Sequence, residues 1–410
     1  MTDMTETRPA RRWVVLDPSL ADHIGHHRAF AAGLGREAVR RDLDVTILGH
    51  RALTRPVEGP VAAAPFFRFD PYDSKVEDPA ARTLATFVDG VPAILRDLAS
   101  GLTDADRAEN VVVWPTASAT ALSATAHWLH RIEPARRPSV AAVFHRIDGE
   151  TERSTAMATV PHATLRLAAL ELRRVIGRSR LLIGATTAGL AERIGNLMLQ
   201  PVGACPAPCP TDQAGGERSA ARRSGPPLVA FPGMPRLEKG ASELPAVLAA
   251  TTRRRPEAKL AVQTAASAVD APSLPPVPDL PQVEAWDGIL SDDVYRRLIG
   301  EASVVVLPYR RRDYRMRCSA VFVDAVAAGC IMVVPGDTWM GDEIAAGHAV
   351  GIAYRDEGPE AVAAAVDEAL GRLDPLLAMA AAAVGPWSRR HGVGPWLDWV
   401  AAGLGLDQAG

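Results

Sequence analysis

Short wholly apolar runs recur along this chain, separated by longer stretches in which apolar side chains return every three or four positions. The runs at 13–16 (WVVL), 43–48 (LDVTIL), 111–114 (VVVW), 140–144 (VAAVF) and 181–184 (LLIG) predict strands of one sheet. Those at 228–231, 260–263, 283–286, 304–307, 331–334 and 350–354 predict a second. Between them, Phe30, Leu34 and Ala38 mark the buried stripe of a helix over 28–41. Helical spacing continues at 79–98, 118–131, 165–176, 187–194, from 241, at 292–302 behind Ser291 as N-cap, at 360–373 and at 395–404. Strand and helix alternate, and a crossover helix makes its two strands parallel neighbours. The expected class is α/β. Residues 51–78, rich in Pro, Phe and Asp, lack a clean period and are expected to form a loop excursion. Their aromatics Phe66, Phe67, Phe69 and Tyr72 would line a groove or pin the loop.

The pattern breaks at 203–227, a Pro-, Gly- and polar-rich run with the composition of an interdomain linker. At 410 residues the chain suits two domains of about 200 residues. They are expected at 1–202 and 228–385, with a terminal helical segment at 386–410. Hydrophobic residues make up 48% and charged residues 23%, and the net charge is −3, ordinary for a globular protein. That balance argues against a dedicated nucleic-acid binder, which needs a basic excess on the binding domain. No apolar run approaches the roughly 20 residues that span a bilayer, and the first twelve residues lack the apolar core of a signal peptide. A cytoplasmic location is expected. Four cysteines are too few for a disulfide scaffold. Cys205 and Cys209 lack the partners of a zinc site, and Cys318 and Cys330 are expected to be small buried fillers.

Chemistry concentrates at 303–335. There an apolar strand ends at Pro308, a loop RRRDYRMR follows, and a helix starts near Ser319. Val321, Ala325 and Ala328 recur at helical spacing and Gly329 stands where the helix would stop. The orphan N–H groups of a helix start and five arginines (Arg310, Arg311, Arg312, Arg315 and Arg317) together have the composition of an anion site. Elsewhere, His145 follows an apolar strand directly, at the ligand edge of a parallel sheet. It is there either to meet a ligand hydroxyl as a neutral imidazole or to bond nearby backbone. Gly25, His26 and His27 fall in the loop expected after the first strand, either at a ligand edge or in a solvated, helix-capping loop.

The series Tyr314, Arg317, Ser319, Ala320, Asp324, Ala325, Gly329 and Pro335 resembles the nucleotide-sugar site of retaining glycosyltransferases with the GT-B fold. In many of those proteins glycine occupies the place of Ala320, and a glutamate stands eight residues before the acidic helix residue, where this chain has Met316. A second match follows the strand at 228–231: Gly233, Arg236, Lys239 and Gly240 resemble the glycine, arginine and lysine-glycine of the same family. A glycine followed by histidines after the first strand is also seen there.

The resemblance implies two Rossmann-like domains facing across a cleft, with the last helix crossing back onto the N-terminal domain, anchored by Trp387, Trp396 and Trp399. It implies an enzyme that moves a hexosyl or related sugar from a nucleotide-diphosphate sugar to an unidentified glycan, lipid-linked or protein acceptor, with retention and without metal or further cofactor. His145, Arg236 and Lys239 would be catalytic. Gly233, Tyr314, Arg317, Ser319, Ala320 and Asp324 would hold the donor, and Gly25, His26 and His27 the acceptor or sugar. Asp42 with Asp44, and Asp104 with Asp106, are expected to be solvated turns rather than metal pairs. Two other readings stay open: a non-catalytic binding subunit of the same shape, suggested by Met316 and Ala320, and a sugar-nucleotide epimerase.

Overall fold

The computed structural model describes residues 11–22, 25–71, 76, 79–102, 107–147, 159–208, 225–264 and 275–406. Cys209, Asp104, Asp106, Tyr72 and most of the expected linker lie outside the described residues. The chain divides into two compact units, one comprising the chain up to Cys205 and again from Leu397, the other Pro206–Trp396.

The first unit is built on a parallel sheet in the order β3-β2-β1-β4-β5-β6-β7. Its strands are β1 (Arg12–Leu16), β2 (Asp44–His50), β3 (Ala63–Phe67), β4 (Val111–Trp114), β5 (Ser139–Phe144), β6 (Leu181–Ala185) and β7 (Gly203–Ala204). Central strands β4 and β5 are buried at every residue, which is why they appear in sequence as unbroken apolar runs. β3 corrects the expected loop excursion. Ala63 to Phe67 pair with β2 from Ile47 to His50 through a register shift at Gly49. A proline inside the run hid it, and Pro65 is tolerated because β3 is an edge strand that does not need every N–H.

The second unit carries a parallel sheet in the order β10-β9-β8-β11-β12-β13. It comprises β8 (Leu228–Phe231), β9 (Lys259–Thr264), β10 (Val283–Asp287), β11 (Val304–Val306), β12 (Ile331–Pro335) and β13 (Gly351–Tyr354). Both sheets therefore start in the middle and wind outward in both directions. Each has one point where the strand order reverses, between β1 and β4 and between β8 and β11, and parallel sheets bind ligands at the carboxyl ends beside such points.

Leu373–Arg390 is a continuous 18-residue helix with Pro386 inside it, so the terminal helical segment expected from 386 begins earlier. Trp387 does not anchor the chain end to the first unit. It is 1% exposed in the core of the second unit, edge-on to Phe322 at 5.9 Å, and its indole N–H donates to the Val323 carbonyl at 3.1 Å. Trp399 is the residue that packs in the first unit, against Gly184 of β6 and Gly203 of β7. Among the described residues no helix is long and apolar enough to cross a membrane.

Candidate functional site

In the second unit the site grows from two neighbouring strand ends. β8 runs into Gly233, whose φ of +103° belongs to the left-handed region where a side chain is strained. Its N–H donates to Oε1 of Gln263 at 2.7 Å, and the Gln263 amide donates in turn to the Gly288 carbonyl at 2.8 Å. One buried glutamine on β9 thus fixes the loop after β8 to the loop after β10. The chain then makes a short turn, Leu237–Lys239, closed by Gly240 at φ +76°. A Cβ on Gly240 would collide with the carbonyl oxygen of Pro308, just past β11, so only glycine lets the two strand ends approach. The Arg310 N–H donates to the Glu238 carbonyl at 3.0 Å and ties the same ends again.

This closure brings four side chains together. Nζ of Lys239 lies 5.7 Å from the centre of the Tyr309 ring, Tyr309 lies 4.4 Å from Tyr314, and the Arg317 guanidinium lies 4.8 Å from the centre of the Tyr314 ring. A Cβ on Gly233 would stand 3.0 Å from the Lys239 ammonium and 3.7 Å from the Tyr309 hydroxyl. Burial brings the Lys239 pKa down to about 8, and the charges of Arg236 and Arg317 push it the same way against Glu238. Three cations within reach of each other and opposed by one carboxylate make a site that gains by taking up an anion. Ser319 completes it, because its hydroxyl accepts from the Phe322 N–H at 3.2 Å and caps the helix Ala320–Ala327.

The arginine loop is less concentrated than its sequence suggests. Arg311 donates to the carbonyls of Tyr354, Arg355 and Asp356, Arg310 reaches the Ser242 hydroxyl at 3.4 Å, and Arg312 lies 3.6 Å from Asp313. Arg317 is the member placed beside Lys239. Tyr314 is buried under it, with its pKa raised by burial. Met316 is half-buried and Ala320 is exposed. Asp324, at the middle of its helix, accepts from the Tyr295 hydroxyl at 3.0 Å. Burial raises its pKa to about 7, and the Tyr295 bond opposes that rise.

In the first unit Gly25, His26 and His27 are not in a loop as expected. They form the first turn of the helix Gly25–Arg40, with His26 exposed and His27 2% exposed. The sequence reading began this helix at the apolar stripe and so missed its polar first turn. Nδ1 of His27 lies 2.7 Å from Oδ2 of Asp17, the residue that follows β1. His145 follows β5, and its Nε2 lies 2.9 Å from the Pro115 carbonyl past β4. Burial lowers its pKa to about 4; the Pro115 bond opposes this, His27 adds to it and Asp17 works against it. The imidazole is therefore neutral near pH 7, with the Nε2 proton spent on Pro115 and Nδ1 left as an acceptor. Asp17, His27 and His145 gather at this sheet's own reversal point. Among the described residues no three His, Cys, Asp or Glu side chains are grouped as a metal site.

Sequence reasoning missed Tyr309, Gln263 and Asp17. Each left a signal, being the first polar position after, or the one polar residue within, an apolar strand run.

No protein-family model matches the chain, and no curated protein matches it. Solved structures do. Sucrose-phosphate synthase from Thermosynechococcus elongatus superposes with a TM-score of 0.62 at 14% identity, covering 97% of this chain and 98% of that one. Anabaena Alr3699/HepE in complex with UDP-glucose gives 0.62 at 13%, covering 96% and 99%. The fold is GT-B. The N-terminal domain of Candida albicans trehalose-6-phosphate phosphatase gives 0.66 at 10%, covering 98% of each chain. At such identities the likeness is one of GT-B architecture, extending over nearly the whole length.

Proposed function

We propose that the protein is a glycosyltransferase that takes a sugar from a nucleoside-diphosphate sugar. The observation that carries this reading is the cluster of Lys239, Arg236 and Arg317 at the reversal point of the second sheet, held by Gly233 and Gly240. A leaving nucleoside diphosphate gathers negative charge on its outer phosphate, and cations already positioned there stabilise that charge with little reorganisation. Lys239 and Arg236 serve this step. Arg317, Ser319 and the free N–H groups at Ala320 and Val321 hold the phosphates, and Asp324 serves the ribose. That Alr3699/HepE is described in complex with UDP and with UDP-glucose on the same fold supports a donor of this class.

His145 belongs to the acceptor or sugar side. With its Nε2 hydrogen given to Pro115, it offers Nδ1 to a sugar hydroxyl, and Asp17 with His27 supports the same edge. The arginine-lysine loop and the acidic residue on the following helix match retaining families better than inverting ones, so the reading favours retention, in which the leaving phosphate accepts the acceptor's proton on the same face. It involves no metal and places the reaction in the cytoplasm.

The test is a thermal-shift panel of uridine, guanosine, adenosine, cytidine and thymidine diphosphates and their sugars, followed by turnover assays with any that bind. A ligand at 100 times its Kd stabilises by about 2.7 kcal/mol, on the order of 5–10 °C for a unit of this size. If none shifts the melting temperature the reading fails. Binding without any turnover supports the non-catalytic subunit instead.

A further inference from the structure

We propose that the Tyr309 hydroxyl is a fourth donor of the anion site, giving its hydrogen to a phosphate oxygen that it shares with Lys239. This rests on the nucleoside-diphosphate reading and adds to it a residue that the familiar motifs do not contain.

Tyr309 is 4% exposed, and its hydroxyl has no hydrogen-bond partner among the described residues. A buried hydroxyl left without an acceptor keeps its desolvation penalty uncompensated, so its persistence calls for a partner that arrives later. The Ser319 hydroxyl lies near it, but outside hydrogen-bonding geometry, so the phenol oxygen is left without a partner.

The direction is set by Gly233. The point where its Cβ would stand is 3.7 Å from the Tyr309 oxygen and 3.0 Å from Nζ of Lys239, so phenol and ammonium converge on one small space that a side chain there would fill. Burial raises the phenol pKa, so Tyr309 stays a neutral donor throughout the neutral range. A neutral donor beside three cations adds a hydrogen bond without further repulsion among the cations. Stacking on Tyr314 at 4.4 Å keeps the ring from turning away.

The experiment is calorimetric titration of inorganic pyrophosphate, which carries no base or sugar, into wild-type protein, Tyr309→Phe and Lys239→Met, with the unliganded melting temperature of each. Tyr309→Phe keeps the stacked ring and removes only the oxygen. It is expected to melt at or above the wild-type temperature and to bind pyrophosphate about tenfold to a hundredfold more weakly. Wild-type affinity in Tyr309→Phe, with affinity lost in Lys239→Met, overturns the inference and leaves the proposed function standing. A Tyr309→Phe protein that melts well below wild type assigns the hydroxyl to the fold and also overturns it. If wild-type protein binds no pyrophosphate, the anion site and the inference fail together.

Discussion

The Tyr295 hydroxyl donates to Oδ2 of Asp324 at 3.0 Å, so the one carboxylate on the helix Ala320–Ala327 is engaged by a neighbouring helix, Asp292–Glu301. Burial holds that carboxyl near pKa 7, above the ordinary 3.8. A raised folded pKa contributes stability that is fully present below about pH 4 and is lost as pH rises through about 7. Asp324→Asn removes this dependence. In urea denaturation at pH 5 and pH 8 the variant should gain on wild type at the higher pH; an equal difference at both values refutes the assignment.

Lys239 gives a pH dependence of binding rather than of folding. Its ammonium, with a pKa near 8, loses its charge as pH rises, so affinity for a diphosphate should fall from about pH 8 upward. An anion beside it raises the pKa, and binding at pH 8.5 should take up protons. Titrations in two buffers of different ionisation enthalpy would show this, and buffer-independent heats would contradict it.

Lys239→Ala and Arg236→Ala should each reduce transfer by about one to two decades, from the loss of one charge-assisted contact to the leaving phosphate. Arg236 is exposed and Lys239 half-buried, so melting temperatures should change little. Initial rates with saturating and limiting donor test the pair, and wild-type rates in the double variant would remove both from the mechanism.

The two glycines of the site should fail differently. Gly240→Ala combines a positive φ with a collision against the Pro308 carbonyl and should cost about 2–4 kcal/mol of stability. Gly233→Ala carries the strain of its own positive φ but meets only the far end of a flexible lysine at 3.0 Å, so it should destabilise the fold less than Gly240→Ala while also weakening anion binding. Equal loss of stability in both variants would show that the space at Gly233 is not kept for a ligand.

His391 should make the second unit acid-sensitive. Its Nδ1 accepts from the Ala207 N–H at 3.1 Å, its ring lies 4.2 Å from Trp387, and burial lowers its pKa to about 3, with Arg390 and His348 adding to the effect. A depressed histidine pKa means that the unfolded chain binds a proton between about pH 6.5 and 3 which the folded chain refuses, so stability falls across that window as pH drops. His391→Gln should flatten the slope between pH 6 and 4 in denaturant titrations, and an unchanged slope would place the acid sensitivity elsewhere.

Much of the fold was legible because parallel strands covered on both faces leave unbroken apolar runs, as at Val111–Trp114 and Ile331–Pro335. Part of what escaped was hidden by proline: Pro65 masked an edge strand, since it breaks a local pattern that tertiary packing can override. At the site, Arg236, Lys239 and Arg317 could be found from charge next to strand ends. The spending of Arg311 on the carbonyls after β13 could not, because it depends on a strand more than 40 residues away in sequence. Tyr309 was passed over in favour of Tyr314, yet only the three-dimensional stack shows which phenol lies against Lys239.

Trp399 has a consequence for the order in which the protein is made. Its indole fills the space left by the absent side chains of Gly184 and Gly203, where a Cβ on either would meet the ring, and Arg41 pairs with Asp398, the residue before Trp399. The sheet of the first unit is thus finished by residues translated after the whole of Pro206–Trp396. At about 5–20 residues per second, a ribosome takes on the order of 10–40 s to cover that distance. During that interval the nascent first unit carries an uncovered glycine-lined hollow beside its edge strand. Stalling synthesis before residue 397 should leave that hollow exposed.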